Sequence, residues 1–306
     1  MDTSEEEKPS ENTCNILQYI NRSHEVDYAF VGKLHGGFAG ETCIVQENTN
    51  NRQAVLKWDP RVDQAARVSK AAAVVAQARA AGWPTPEWLI QGVAPGGQVF
   101  TIQEYIPLAS GSHWDISTRL AESAVDFVQR TQAGVCLDTG VNWIDWDWAV
   151  VFEDSQECAA RLREHSAHGA EFVDLAPEFA AEFRNVKLDA KDIVHGDFQP
   201  GNFLLAQGDK CCIEAVVDVE AIGKGTRFHD VADLACHNII WQGEATILPV
   251  LDAYAQSHSE PGEWEVSFVA RLYELLCFYI FLFKGDASSR LQSAMTAIEY
   301  IKSKRL

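Results

Sequence analysis

The segment His195-Gly196-Asp197-Phe198-Gln199-Pro200-Gly201-Asn202 places a carboxylate and a carboxamide five positions apart, in a loop between two short apolar runs at 193–194 and 203–205. Two such side chains on one loop face one substrate. Asp197 can position a hydroxyl nucleophile and take its proton, while Asn202 can hold a metal ion on phosphate oxygens. Farther on, the run Ala215-Val216-Val217-Asp218-Val219-Glu220 reads as an apolar strand that ends on Asp218, sixteen residues after Asn202. A strand end holds a carboxylate rigidly, and phosphoryl transfer depends on metal charge and positioning more than on covalent chemistry. A lone Asp in a loop usually caps or turns the chain. The joint occurrence of His-Gly-Asp, the Asn and the later strand Asp is what separates this pattern from a turn.

These groups need elements to hold them. Residues 1–13 are rich in Glu, Ser, Asn and Lys and are expected to form a disordered acidic tail. A short amphipathic helix is expected from Asn15 on, carried by Ile16, Leu17, Tyr19 and Ile20. Runs at 28–34, 41–46 and 54–58 read as an antiparallel meander, with a turn through Gly36, Gly37 and Gly40 and a polar turn at 47–51. An Ala-rich helix is expected over 61–81, stopped by Gly82 and Pro84, followed by strands at 88–91 and 99–105. Beyond Pro107 the pattern turns helical, at 115–132, 154–166, 177–185, 230–256 and 262–304, with a third short strand run at 212–219. The stretch 142–148, dense in Trp and Asp, fits neither period. The expected architecture is α+β, with a tail and short helix over 1–24, a β-rich part over 25–107 and a mainly helical part over 108–306.

At these residues the sequence resembles a known family, the aminoglycoside-phosphotransferase and choline-kinase-like small-molecule kinases. The likeness is carried by VHGDFQPGNFLL and VVDVEAIGKGTRFHDVADLA, and extends in order and type over roughly residues 28–240. It implies a two-lobed, protein-kinase-like fold with a small nucleotide-binding lobe and a larger helical lobe. Asp197 would be the catalytic base, with Asn202 and Asp218 as Mg²⁺ ligands on ATP or GTP. His195 would support the loop by hydrogen bonds. Asp230 would anchor the loop from below, with Asp233 as the competing alignment. Lys57, on the third strand, would neutralise the nucleotide phosphates. Gly36 and Gly37 would let the backbone approach those phosphates. Gln103, Glu104, Tyr105 and Ile106 resemble the inter-lobe hinge, whose main-chain groups meet the base, so ATP and GTP are not told apart. One departure concerns Lys57. The family pairs this Lys with a helix Glu, yet no acidic residue occurs between Val68 and Gly82.

Composition narrows the partners. The 306 residues hold 44 Asp plus Glu against 25 Lys plus Arg, a formal charge of −19. Such a chain repels nucleic acid and anionic membranes and can attract a cationic substrate. The eight cysteines form no CxxC pair or metal-like spacing, which suits reduced, mostly buried thiols in a cytoplasm, with Cys211 and Cys212 filling a strand. The start lacks the basic and apolar regions of a signal peptide. The longest apolar run, 275–283, is too short to span a bilayer and reads as a buried helix.

The acceptor is read from acids near aromatic faces. In Trp143-Ile144-Asp145-Trp146-Asp147-Trp148, rings alternate with carboxylates, which suits a cationic aminocyclitol, peptide antibiotic or quaternary amine. Asp145, Asp147, Glu153, Asp154 and Glu220 are the substrate-binding candidates. The leading expectation is a kinase for an aminoglycoside or similar antibiotic. The alternatives are a metabolite kinase for choline, thiamine, homoserine or a sugar, and a non-catalytic nucleotide-binding module.

Overall fold

A computed structural model describes residues 8–34, 41–112 and 116–305. The chain divides into two compact units, one of Met1–Ala80 with Thr85–Pro107 and the other of Ala81–Pro84 with Leu108–Leu306.

The first unit opens with helix α1 (Glu11–His24), then strands β1 (Tyr28–Lys33), β2 (Glu41–Glu47) and β3 (Gln53–Asp59). A 3₁₀ turn (Val62–Gln64) leads into α2 (Ala65–Ala80), and β4 (Trp88–Val93) and β5 (Val99–Glu104) complete an antiparallel sheet of order β1-β2-β3-β5-β4. Alternation decides its faces. Cys43 and Val45 on β2, Ala54 and Leu56 on β3, and Phe100 and Ile102 on β5 point inward, where Ile16, Leu17 and Ile20 of α1 cover them. The helix therefore starts earlier than expected. Residues 11–13, placed in a disordered tail by their polarity, form its first turn because the Ser10 hydroxyl caps Thr13 N at 3.2 Å. Glu41 of β2 then ties that turn down, accepting from the Ser10 and Thr13 hydroxyls and pairing with Lys33 Nζ at 2.5 Å.

The second unit is mainly helical. After the short β6 (Ala109–Ser110) come α3 (Thr118–Thr131), β7 (Val141–Asn142), α4 (Trp143–Glu153), α5 (Cys158–His165) and α6 (Ala167–Ala180). Then follow β8 (Asp192–Val194), β9 (Phe203–Leu205), β10 (Ile213–Val216), β11 (Gly223–Gly225), α7 (Phe228–His237), α8 (Leu248–His258), α9 (Glu263–Cys277) and α10 (Ala287–Ser303). Two three-stranded ladders, β10-β9-β6 and β7-β11-β8, flank the loop that carries Asp197. Turns of π type extend α7 over Asn238–Gln242 and α9 over Phe278–Leu282.

Several expectations change here. The Trp-rich stretch is the start of α4. The helix expected at 177–185 begins ten residues earlier and contains Pro177, because the Ser166 hydroxyl caps Gly169 N at 3.0 Å and Phe172, Val173 and Ala176 bury its inner face. The run 275–283 is helical but not buried throughout: Phe278, Leu282 and Phe283 are 38%, 62% and 40% exposed. Cys211 and Cys212 precede β10 rather than fill it, and Cys43, Cys158, Cys236 and Cys277 are the buried thiols. No helix among the described residues is long and apolar enough to cross a membrane.

Candidate active site

The loop after β8 is built around three main-chain demands. Gly196 sits at φ +82°, and a Cβ there would run into the Trp143 ring and the Ala221 carbonyl. Only glycine meets both the backbone and the space. The Asp230 carboxylate, at the start of α7, accepts from His195 N at 2.7 Å, Gly196 N at 3.0 Å and Gln132 Nε2 at 2.8 Å. Burial pushes that carboxyl above its ordinary range, while His195, His229 and the two loop N–H groups act the other way. His195 takes Asp197 N on Nδ1 at 3.2 Å and meets Val217 O through Nε2 at 2.8 Å. Those two contacts fix the tautomer with the proton on Nε2.

Asp197 and Asn202 face each other across this loop. Asn202 Nδ2 donates to the Asp197 carbonyl at 2.8 Å and to Asp197 Oδ2 at 2.9 Å. The amide nitrogen is therefore turned toward the carboxylate, which leaves the amide oxygen as the atom a cation would take. Asp197 itself is pushed up to about 6, first by burial and then by the charges of Asp233 and Asp218, against His195 and Arg271. That raises it toward the range of a general base.

Asp218 does not end the strand, as the sequence suggests. β10 stops at Val216, and Asp218 lies two residues on, exposed, at φ +65°. Its place is set by Val217, which is clamped by the loop on both main-chain groups: Val217 N donates to Asn202 O at 2.9 Å, and Val217 O accepts from His195. The Asp218 carboxylate and the Asn202 amide oxygen are both hard oxygen donors, the ligand type that Mg²⁺ takes.

The substrate candidates separate. Asp147 is a correction: it is 1% exposed, and its carboxylate is spent on His229 Nδ1 at 3.0 Å and Ser267 Oγ at 2.7 Å. Asp154 is spent too, accepting from Ala159 N at 2.8 Å and Ala160 N at 3.0 Å at the start of α5. Asp145 is exposed and takes Asn142 Nδ2 at 2.6 Å. Glu153 is exposed at the end of α4, and Glu220 is partly buried on the 3₁₀ turn after Asp218.

In the first unit, Lys57 lies on β3, opposite Thr42 and Thr101, on the face away from Leu56. Gln103 is buried and donates to Thr101 Oγ1 at 3.0 Å. Glu104 ends β5, and Tyr105 and Ile106 follow as irregular chain, partly buried. Gly36 and Gly37 lie outside the described residues.

Asp230 holds the loop, and Asp233, the competing alignment for that anchor, belongs to a second group beside Asp197 whose other members sequence reasoning did not assign. Asp233 and His237 of α7 offer ligand atoms that, with one from Asp197, all lie within 4.8 Å of one another. Arg271 of α9 binds Asp233 Oδ1 through Nε at 2.8 Å and Nη2 at 2.5 Å, and Glu274 Oε2 through Nη1 at 2.7 Å. Glu274 Oε1 takes Trp146 Nε1 at 2.7 Å. The sequence signal was the i,i+4 pair Asp233/His237 and the i,i+3 pair Arg271/Glu274, each on one helical face.

Residues 32–266 match the profile of the phosphotransferase enzyme family. Among curated proteins, none matches significantly. Solved structures share the fold. A thermostable mutant of aminoglycoside phosphotransferase APH(4)-Ia, in ternary complex with ADP and hygromycin B, is 15% identical with a TM-score of 0.66, covering 93% of this chain and 98% of that one. A protein of Haemophilus somnus 129PT assigned as a fructosamine-3-kinase is 15% identical with a TM-score of 0.56, covering 94% and 97%. Aminoglycoside phosphotransferase APH(3'')-Id of Streptomyces rimosus is 14% identical with a TM-score of 0.52, covering 86% and 99%. With its Asp–Asn loop, its following Asp and a family match over most of its length, the chain belongs to the phosphotransferase enzyme family and is a phosphotransferase with an alcohol group as acceptor.

Proposed function

We propose that this protein moves the γ-phosphoryl group of ATP or GTP onto a hydroxyl of a small cationic molecule, an aminoglycoside or similar antibiotic. The observation that carries the reading is the Asp197 carboxylate, held by Asn202 Nδ2 at 2.9 Å on a loop that Asp230 anchors through two main-chain N–H groups, with burial pushing it up to about 6. In this reading Asp197 orients the acceptor hydroxyl and takes its proton. Asn202 and Asp218 hold Mg²⁺, which neutralises charge on the transferring group. Lys57, Gly36, Gly37 and the main chain of 103–106 serve the nucleotide. The acidic balance of the chain favours a cationic acceptor. A metabolite kinase is the second reading, favoured by the likeness to the fructosamine-3-kinase fold.

A phosphorylation screen with Mg²⁺·ATP and Mg²⁺·GTP over cationic antibiotics and hydroxylated metabolites tests both. Preferred turnover of a sugar or choline would replace the antibiotic reading. Nucleotide binding without any turnover would leave only the non-catalytic module.

A further inference from the structure

Phosphoryl transfer at Asp197 uses no thiol, yet two of the buried cysteines meet. Cys158 opens α5, and Cys277 closes the regular part of α9. Cys277 Sγ donates to the Cys158 carbonyl at 3.6 Å. The Cys158 thiol is pushed up first by its hydrogen bond to the Cys277 side chain and then by burial. A structural cysteine is a small apolar filler. Cys236 has that character, fully enclosed and donating to Phe268 O at 3.6 Å. Cys158 and Cys277 differ in two respects. They are partners, and both line one open groove of about 350 Å³, walled also by Arg161, Glu274, Phe281 and Leu282. Arg161 brings a positive charge to that wall, lying 4.2 Å from the centre of the Phe281 ring. The negative charge of Glu274 is already paired with Arg271.

We propose that Cys158 and Cys277 are a redox pair, a modification site at which a small-molecule disulfide entering the groove is reduced and a reversible disulfide bond closes between α5 and α9. The step balances. The Cys277 sulfur, as its thiolate, attacks one sulfur of the oxidant RSSR. The RS–SR bond breaks, and the first RS⁻ leaves and takes up the proton that Cys277 gave. The Cys158 sulfur then attacks the Cys277 sulfur of the mixed disulfide. The second RS⁻ leaves and takes the Cys158 proton. Two protein thiols are oxidised, and RSSR is reduced to two RSH. The order of attack follows from the two environments. A thiol held protonated is the poorer nucleophile toward a free oxidant, so Cys158 is the resolving partner, placed beside the sulfur it must reach. The position in the fold gives the bond a consequence. It falls where α9 passes into the π turn of Phe278–Leu282, a local geometry that recurs at functional sites. One turn earlier on the same helix, Glu274 holds Arg271 Nη1 and Trp146 Nε1, each at 2.7 Å. The bond therefore staples the helix that ties α4 to α7.

The test incubates the reduced full chain with bis(2-hydroxyethyl) disulfide or glutathione disulfide at mildly alkaline pH, blocks the remaining thiols, digests without reductant and maps linked peptides by mass spectrometry. The expected product joins the peptides of Cys158 and Cys277, and dithiothreitol returns both as thiols. The oxidised protein should melt several degrees above the reduced one, because the bond closes a long loop on a pair that native packing already brings together. Amide exchange should slow over 158–165 and 271–282. Cys158→Ala should trap the mixed disulfide on Cys277, whereas Cys277→Ala should leave Cys158 unmodified, and neither should show the rise in melting temperature. Should one variant fail to fold, the other and the wild-type map carry the comparison. Reaction confined to the exposed Cys136 and Cys212 overturns the proposal. So does a mixed disulfide that persists on Cys277 of the wild type, or an oxidised form that melts below the reduced one.

Discussion

Gly196 and Asp197 divide the work of one turn between backbone and side chain. Gly196 supplies the positive φ and the missing Cβ that let Trp143 and the Ala221 carbonyl close on the loop, and Trp143 Nε1 donates to that same carbonyl at 3.2 Å. Gly196→Ala therefore forces strain and a backbone shift at once. It should lower the melting temperature by several degrees and cut kcat by more than about tenfold, read by thermal denaturation and steady-state kinetics. Alanine at wild-type activity would mean the loop has slack that its packing does not suggest. For Asp197 the sign is fixed by its form as a base. The carboxyl is pushed up to about 6, so the protonated, inactive form accumulates as the pH falls through that value. The pH profile of kcat/KM should fall on its acid side near 6. Asp197→Asn should abolish that limb and lower kcat by ~10²–10⁴.

At the scale of elements, the strands of the first unit were legible because alternation and turn residues are local signals. The ends of β1, β2, β3, β4 and β5 fall within two residues of the expectation. The Asp197–Asn202 loop was legible for the same reason, being one contiguous stretch. Helices α4 and α6 were not. Trp143, Asp147 and Val150 share a buried face only once α9 packs on α4, and residues 167–176, outside the expected helices, join α6 through the Ser166 cap and its apolar face. Asp147 misled for a tertiary reason. It is an acid among tryptophans in sequence, but in space it joins α4 to α7 and α9 through His229 and Ser267. That junction has a testable electrostatics. Burial would push His229 down, but Asp147 prevails and raises it. Its contribution is therefore full below the unfolded value of about 6.5 and is lost as the pH rises through the folded value. The stability difference between wild type and His229→Gln should be largest near pH 6 and shrink on the alkaline side, as denaturant titrations at several pH values would measure. A constant difference would place the effect in packing against Trp143, whose ring lies 4.3 Å from the imidazole centroid.

Across the whole molecule, each unit carries its own core and its own charged tie, and the two ties answer to pH in opposite directions. In the first unit the tie is Glu41. Burial pushes it up, but Lys33, Ser10 and Thr13 outweigh burial and hold it at about 2. A depressed carboxyl stabilises above its unfolded value of about 4.3, and that contribution drains away as the pH falls from there toward 2. Removing the charge with Glu41→Gln should cost about 1–2 kcal/mol at pH 7, since the ion pair is partly exposed and the two hydroxyl bonds are charge-assisted. The cost should vanish by about pH 2. Because Glu41 binds the first turn of α1 to β2, the loss should appear first as faster amide exchange in peptides covering 11–24 and 41–47, and not in α4, α7 or α9. The His229 junction gives the converse pattern above neutrality, confined to the second unit. Peptide-resolved hydrogen exchange at mildly acid and alkaline pH, corrected for intrinsic rates, reads both. If acid loosened 143–153 and 228–237 before the α1–β2 contact, the ties assigned to Glu41 and His229 would not govern the stability of their units.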